Sequence, residues 1–350
     1  MSKFIKGFKD WFFGRQSEGA PFRPGGQAVM EGVMMQGSKL TAIAVRQQNG
    51  QIAVKTRATV KPGDKYPCLK WPLLRGITSF VMSLASGMKT LAESAEMAGE
   101  APEEPSKFER KLAEILHMKP DDVMMAVAVV LAVVLAIGLF FALPVGIEAL
   151  IKRYVQSNAL VKIIGGVVRI GVFLTYIGLV SRLKEIRRVF QYHGAEHKSI
   201  YCYESGKELT VDNARAFTRL HPRCGTSFLV IVMVISIVVF LFLGNNSTNV
   251  FRRLGSNLLL LPLVAGISYE VLQGLARAED RWWVRALKWP GLMVQKVTTA
   301  EPDDQMLEVA LTSLKASMGM EWKAEAAQPV PAGGEATEPE VVHDGAAMAH

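Results

Sequence analysis

Cysteine is scarce in this chain, with only Cys68, Cys202 and Cys224. An odd, widely spaced set excludes a disulfide framework, and reduced thiols facing a cytoplasm are the expectation. A cleavable leader is not expected, since MSKFIKGFKDWFFGR carries too short an apolar run and no cleavage-site pattern follows it. Gly25-Gly26 lacks the lysine and serine or threonine of a phosphate loop, and there is no Ser-His-Asp pattern and no internal repeat. The net charge of +8 does not gather into a basic domain. Its cations crowd beside apolar runs, which argues against nucleic acid as a partner and for anionic membrane lipids.

Apolar sequence is abundant, at 50% of residues, and it is clumped. Val123 to Leu143 has no charge and is long enough to cross a hydrocarbon core of about 30 Å as a helix. Leu160 to Val180, with Lys162 and Arg169, Thr226 to Leu243, without charge, and Leu258 to Leu275, with Glu270, are three further spans. For the two charged segments a buried soluble helix is the alternative. Arg169 is expected to pair with Glu148 or to line a polar cavity, and Gly165, Gly166 and Gly171 to allow close helix packing. Pro144 and Gly146 mark where the first span ends or bends. Arg252 and Arg253 fall in a short connection between the third and fourth spans. The segment between spans two and three holds Lys184, Arg187, Arg188, Lys198 and Lys207, so the positive-inside rule places it in the cytoplasm, with both termini on that side.

The expected fold class is a mainly α membrane protein of about four transmembrane helices, preceded by a small β-hairpin-containing unit. Residues 1–20 mix lysines with Phe4, Phe8, Trp11, Phe12 and Phe13, as a membrane-surface anchor does. Residues 21–70 form the β-rich cytoplasmic unit, with two short strands in PFRPGGQAVMEGVMMQG and a hairpin turning at Asn49-Gly50. Glu31, a lone carboxylate in the first of these, either reaches a metal or substrate or is a turn residue satisfied by backbone donors. Pro62, Pro67 and Pro72 break the chain before residues 71–122, which hold amphipathic helices and the acidic linker Glu100 to Pro105. There the stripe Leu73, Ile77, Phe80, Leu84, Met88, Leu91 is expected to pack on the spans. Residues 123–183 carry spans one and two, 184–225 a cytoplasmic segment, 226–275 spans three and four, and 276–323 a cytoplasmic C-terminal region. In the last, Trp282, Trp283 and Trp289 suit an interfacial aromatic belt. Residues 324–350 are dominated by Ala, Pro, Gly and Glu and are expected to be disordered.

The chemistry concentrates in QYHGAEHK, residues 191–198, where His193, Glu196 and His197 make an H-x-x-E-H pattern. Helical positions three and four apart share a face, so both imidazoles can hold one metal ion and Glu196 can serve as general base. The segment Glu185 to Tyr203 reads as a helical continuation of the second span. His221-Pro222-Arg223-Cys224 adds an imidazole and a thiol at compact spacing, and Glu270 is an ionisable group inside a span. Two ligand sets compete. In one, His193, His197 and Glu270 hold zinc, a fourth position stays open for water, and Glu196 is the base for attack on an amide or ester, a peptide bond included. In the other, His193, His197, His221 and Cys224 close a structural site. The open site is preferred, because it gives Glu196 and Glu270 a reason to be where they are. An arrangement without metal, with His221 capping a turn, is the third.

GGQAVMEGVMM, YHGAEHK, HPRCGTSF, LPLVAGISYE and TTAEPDD together resemble the YqhQ-like family of bacterial membrane proteins over about residues 21–316. That family is a domain of unknown function with a suggested metal-dependent enzymatic role. The resemblance implies a multi-pass bacterial inner-membrane protein in which His193, Glu196, His197, His221, Cys224 and Glu270 fall in family motifs. Gln36, where the family pattern has a basic residue, is a departure. The two functions to weigh are a membrane-embedded zinc hydrolase at the cytoplasmic face, acting on a peptide or membrane protein, and a non-enzymatic scaffold, assembly or transport factor with a structural metal or none.

Overall fold

The computed structural model describes residues 22, 24–59, 71, 73–99, 107–117, 120–244, 249–278 and 282–321. The basic aromatic segment 1–20, Cys68, the prolines Pro62, Pro67 and Pro72, the acidic linker and the tail 324–350 lie outside the described residues. Four strands, β1 (Gly25–Val29), β2 (Gly32–Gln36), β3 (Leu40–Arg46) and β4 (Ile52–Ala58), form an antiparallel meander in the order β1-β2-β3-β4. Both expected turns are present. Glu31, at φ 50°, closes the first, and Gly50, at φ 85°, sits in the second, where the left-handed region suits glycine.

Twelve helices follow among the described residues. The first six are α1 (Leu74–Ala98), α2 (Lys107–Leu116), α3 (Pro120–Ile137), α4 (Leu143–Ile151), α5 (Asn158–Val180) and α6 (Lys184–Glu204). The rest are α7 (Val211–Arg215), α8 (Gly225–Leu243), α9 (Val250–Leu259), α10 (Leu261–Arg277), α11 (Trp282–Thr298) and α12 (Asp304–Met318).

Strand alternation sends side chains to both faces of the sheet, and both faces are covered. Val33, Met35 and Ala44 pack with Tyr192, Ala195 and Ile200 of α6 and with Met306, Leu307 and Leu314 of α12. Val29, Ile43 and Val45 pack on Met97 and Ala98 at the end of α1. Helix α12 starts at an Asp303 cap, whose carboxylate accepts from the Met306 amide at 2.8 Å, and ends at left-handed Gly319.

Three helical stretches, Asp122–Ile151, Asn158–Val180 and Gly225–Leu243, are long and apolar enough to cross a membrane, and α9 with α10 makes a fourth if the pair is one span bent by 42°. The first runs past Pro144 to Ile151, through a π-type turn at Gly138–Ala142, instead of ending at the proline. Proline has no N–H to give the carbonyl of Phe140 four residues earlier. The Arg169 Nε–H donates to that carbonyl instead, at 3.0 Å. Arg169 also reaches Ser236 and, as the second expectation had it, lines a polar cavity with Glu148, whose carboxylate pairs with Arg253 instead. Arg253 is thus buried within α9 and not part of a short connection. The break at α9–α10 follows from Pro262. Gly165 and Gly166 sit where a side chain would collide with Glu148 and Ile237, whereas Gly171 faces open space.

Helix α1 inverts the expected packing. Its buried positions are Gly76, Gly87, Thr90, Ser94, Met97 and Ala98, while Phe80, Leu84, Met88 and Leu91 stay exposed. Small residues let backbones approach, and a Cβ at Gly76 would come within 3.0 Å of Gly266 on α10. The apolar stripe is left facing outward, as it is on a helix in contact with lipid. Helices α5 and α6 are separate: Leu183 is extended, and a turn at 181–183 parts them.

The covering of the sheet by α12 is testable. Leu314→Ala, at a fully buried position, is expected to cost about 2–5 kcal/mol. Leu135→Ala, at a position 65% exposed on a span, is expected to cost under about 0.5 kcal/mol. Thermal unfolding in detergent compares the two.

Candidate metal centre

Helix α6 carries the H-x-x-E-H pattern on a face that is buried from Tyr192 through Ile200 apart from half-buried His193. The segment after α11 crosses this helix at Gly194, where an added Cβ would lie 2.2 Å from the Ala300 carbonyl. The Ala300 amide donates to the Phe190 carbonyl at 2.8 Å and holds the crossing. Glycine in mid-helix costs helix propensity, and here that cost allows a backbone to approach. The crossing delivers the Thr298 carbonyl to His193 Nδ1 at 2.8 Å. His197 Nδ1 lies 2.5 Å from the Arg219 carbonyl.

A carbonyl only accepts, so both Nδ1 atoms carry the proton and both Nε2 lone pairs point inward. They meet Cys224. Its sulfur is 3.0 Å from His193 Nε2, and the ligand atoms of His193, His197 and Cys224 all lie within 4.8 Å of one another. His197 Nε2 is buried beside that sulfur without a hydrogen bond of normal geometry. Burial lowers the His197 pKa, against the raising influence of the Cys224 thiol. Cys224 caps α8, and its sulfur receives the Thr226 amide at 3.4 Å and the Thr226 hydroxyl at 3.2 Å. Those two contacts fix the sulfur at the start of α8, facing the His193 imidazole.

His221 stands next to the group, its ring 5.6 Å from that of His197, but its atoms point elsewhere. Nδ1 accepts from the Arg223 amide at 3.3 Å, and Nε2 faces the Glu204 carboxylate at 3.6 Å. Burial lowers the His221 pKa to about 4. The loop from His221 to Cys224 is clamped by Gln295, fully buried, which donates to the His221 carbonyl and accepts from its amide, both at 2.8 Å. Gln295, Thr298 and Thr226 position this centre; the two threonines fall in the TTAEPDD and HPRCGTSF motifs, whereas Gln295 looks like any glutamine in a helical run.

Glu196 is buried against Gly26 of β1, where any side chain on Gly26 would strike it. Burial raises its pKa to about 7, with His193 pulling the other way. Glu270 is elsewhere: the Arg75 guanidinium holds both its oxygens, with Nε at 2.7 Å from Oε1, and the Leu73 amide adds a contact at 3.4 Å. The close group of donors contains Cys224 in the place expected for Glu270. Glu31 does not reach the histidines. Its carboxylate pairs with Arg188 and lies 3.4 Å from the Tyr192 hydroxyl, so a side-chain cation, not backbone donors, satisfies it.

Three donors of the His₂Cys type fit zinc, whose tetrahedral shell spaces ligand atoms by roughly 3.3–3.7 Å. The backbone carbonyls that accept from both imidazoles are of the kind that orient metal-binding histidines. Among the described residues no other group of three such side chains comes together.

The Arg75–Glu270 pair makes its own prediction. Arg75→Leu leaves a carboxylate only 1% exposed without its cation and is expected to cost about 3–5 kcal/mol, while Arg75→Leu/Glu270→Gln recovers most of the loss. Thermal melts of the purified variants decide it.

The family model "Protein of unknown function (DUF1385)" matches residues 71–320. The "Uncharacterized protein YqhQ" of Bacillus subtilis (strain 168) is 35% identical over 304 residues, which cover 86% of this chain and 94% of that protein. No solved structure matches significantly. With most of its length matched in both comparisons, the chain belongs to the DUF1385, YqhQ-like family.

Proposed function

We propose that the protein is a membrane-embedded zinc-dependent hydrolase working at the cytoplasmic face of the bacterial inner membrane. Its metal ligands would be His193, His197 and Cys224. The observation that carries the reading is the convergence of these three donors with both imidazole Nδ1 atoms tied to backbone carbonyls. Three protein ligands leave one position open, as in catalytic zinc sites. When bound, zinc supplies a Lewis acid and lowers the pKa of a coordinated water toward about 7.

The chain's own residues do the rest. Thr298 and Arg219 orient the imidazoles through their carbonyls, and Thr226 steadies the sulfur. Glu196, one residue before His197 and within electrostatic reach of His193, takes a proton from the attacking water and returns it to the leaving group. The substrate class is an amide or ester, with a peptide or membrane protein presented from the bilayer as the natural source.

The second reading, a scaffold or assembly factor with a closed structural metal site, draws on His221. Its buried Nε2 has no hydrogen-bond partner, and its ring lies beside that of His197. A rotation away from Glu204 would make it a fourth ligand.

Metal analysis of detergent-purified protein separates the two. About one zinc per chain is expected, lost in His193→Ala and in Cys224→Ser and retained in Glu270→Gln. Retention in His221→Ala supports the open site and loss supports the closed one; wild-type protein free of metal would sink both. With a panel of fluorogenic amides and esters, Glu196→Gln is expected to keep its zinc and lose turnover by a factor of about 10²–10⁴. Equal rates for variant and wild type would remove Glu196 from the chemistry.

A further inference from the structure

A second polar cluster lies at the opposite ends of the spans. Helix α5 leads by its Val180 end into α6 and the sheet, so its Asn158 end is remote from the histidine centre. Around that remote end Glu148, Lys162, Arg169, Arg253 and Asn257 line a small cavity. Glu148, Arg169, Arg253 and Asn257 are 4–7% exposed. Arg253 pairs with Glu148. Lys162 donates to the carbonyls of Leu241 at 3.2 Å and Gly244 at 2.8 Å, and Arg169 donates to Phe140 and Ser236.

Carbonyls and hydroxyls solvate a cation without neutralising it. Among the described lining residues, one carboxylate faces three cations, the buried Arg169 and Arg253 and the half-buried Lys162, which leaves an excess of two positive charges. Such charge is costly unless paired. Arg253 Nη1 is also buried there with no hydrogen-bond partner. A bound anion answers both deficits.

We propose that this cavity binds a phosphate group through Arg253 and Lys162, with Arg169 adding its positive charge from mid-span, the source being an anionic lipid headgroup or free inorganic phosphate. The depth favours the lipid. Lys162 lies about one turn into α5, Glu148 within the last turn of α4, Arg253 in the first turns of α9, and Gly244 at the cap of α8. These are headgroup positions, and the same helix ends carry exposed Leu150, Tyr154, Leu243 and Phe251 for acyl chains to cover. The space admits little more than one oxygen-sized group. A phosphate therefore enters by one oxygen and leaves its remainder outside, as a diester does.

The test uses the full chain, stripped of lipid in detergent and free to keep or lose metal at the histidine centre. Binding is followed by native mass spectrometry and thermal shift with dioleoylphosphatidylglycerol, with dioleoylglycerol, which lacks the phosphate, and with sodium phosphate against sodium chloride at equal ionic strength. Phosphatidylglycerol is expected to bind and dioleoylglycerol not to. Lys162→Gln and the neutral-pair variant Glu148→Gln/Arg253→Gln are each expected to weaken binding about tenfold or more. Binding of sodium phosphate alone would support the phosphate site and assign its source to solution. Equal binding of dioleoylglycerol and phosphatidylglycerol, wild-type affinity in both variants, or no phosphate-dependent shift in the wild type would overturn the proposal, whatever the zinc measurements give.

Discussion

The passage of residues 298–302 across α6 at Gly194 is the contact on which the rest of this structure depends. It needs a position without a side chain in the middle of a helix, and it is held by one backbone hydrogen bond, Ala300 to Phe190. From it follow the Thr298 carbonyl that fixes the His193 tautomer and the Asp303 cap that starts α12. Because α12 then lies on the sheet beside α6, the crossing ties the sheet layer and the histidine centre into one packed unit.

The far ends of the long apolar helices obey a related rule. Proline at 144 frees a carbonyl, and that carbonyl recruits Arg169 from the neighbouring helix. Arg253 enters the same layer because the α9–α10 break turns a connecting segment into an inserted helix. The two polar clusters thus have different origins. One gathers donors with lone pairs turned inward, and the other gathers cations in excess of carboxylate. Their ligand chemistries are correspondingly distinct, a soft or borderline metal at one end and an anion at the other.

Much of the fold could be read along the chain. Long uncharged runs define spans because no other element satisfies its backbone in lipid, and Asn49-Gly50 between apolar runs marks a hairpin. The helix α1 was misleading for a physical reason. Its small residues allow close approach, Gly76 to Gly266 of α10 and Gly87 to Gln27 of β1, so these positions face the protein and Phe80 and Leu84 face out. Gln295, with its two hydrogen bonds to His221, had no sequence signal at all, since a clamp on a distant loop looks like any glutamine in a helix.

By itself the sequence determined that His193, Glu196 and His197 share one helical face, because the period of the α-helix is local and needs nothing beyond the spacing. Tertiary structure alone decided what completes that face. Cys224 and Glu270 were both eligible third donors, and nothing local ranks a thiol capping α8 against a carboxylate inside α10. The choice rests on packing: the cap of α8 is brought to the two Nε2 atoms by the Gln295 clamp, while α10 docks against α1 and gives Glu270 to Arg75. Such placements come from long-range contacts, whose geometry is set by the whole core and is written in no single stretch of residues.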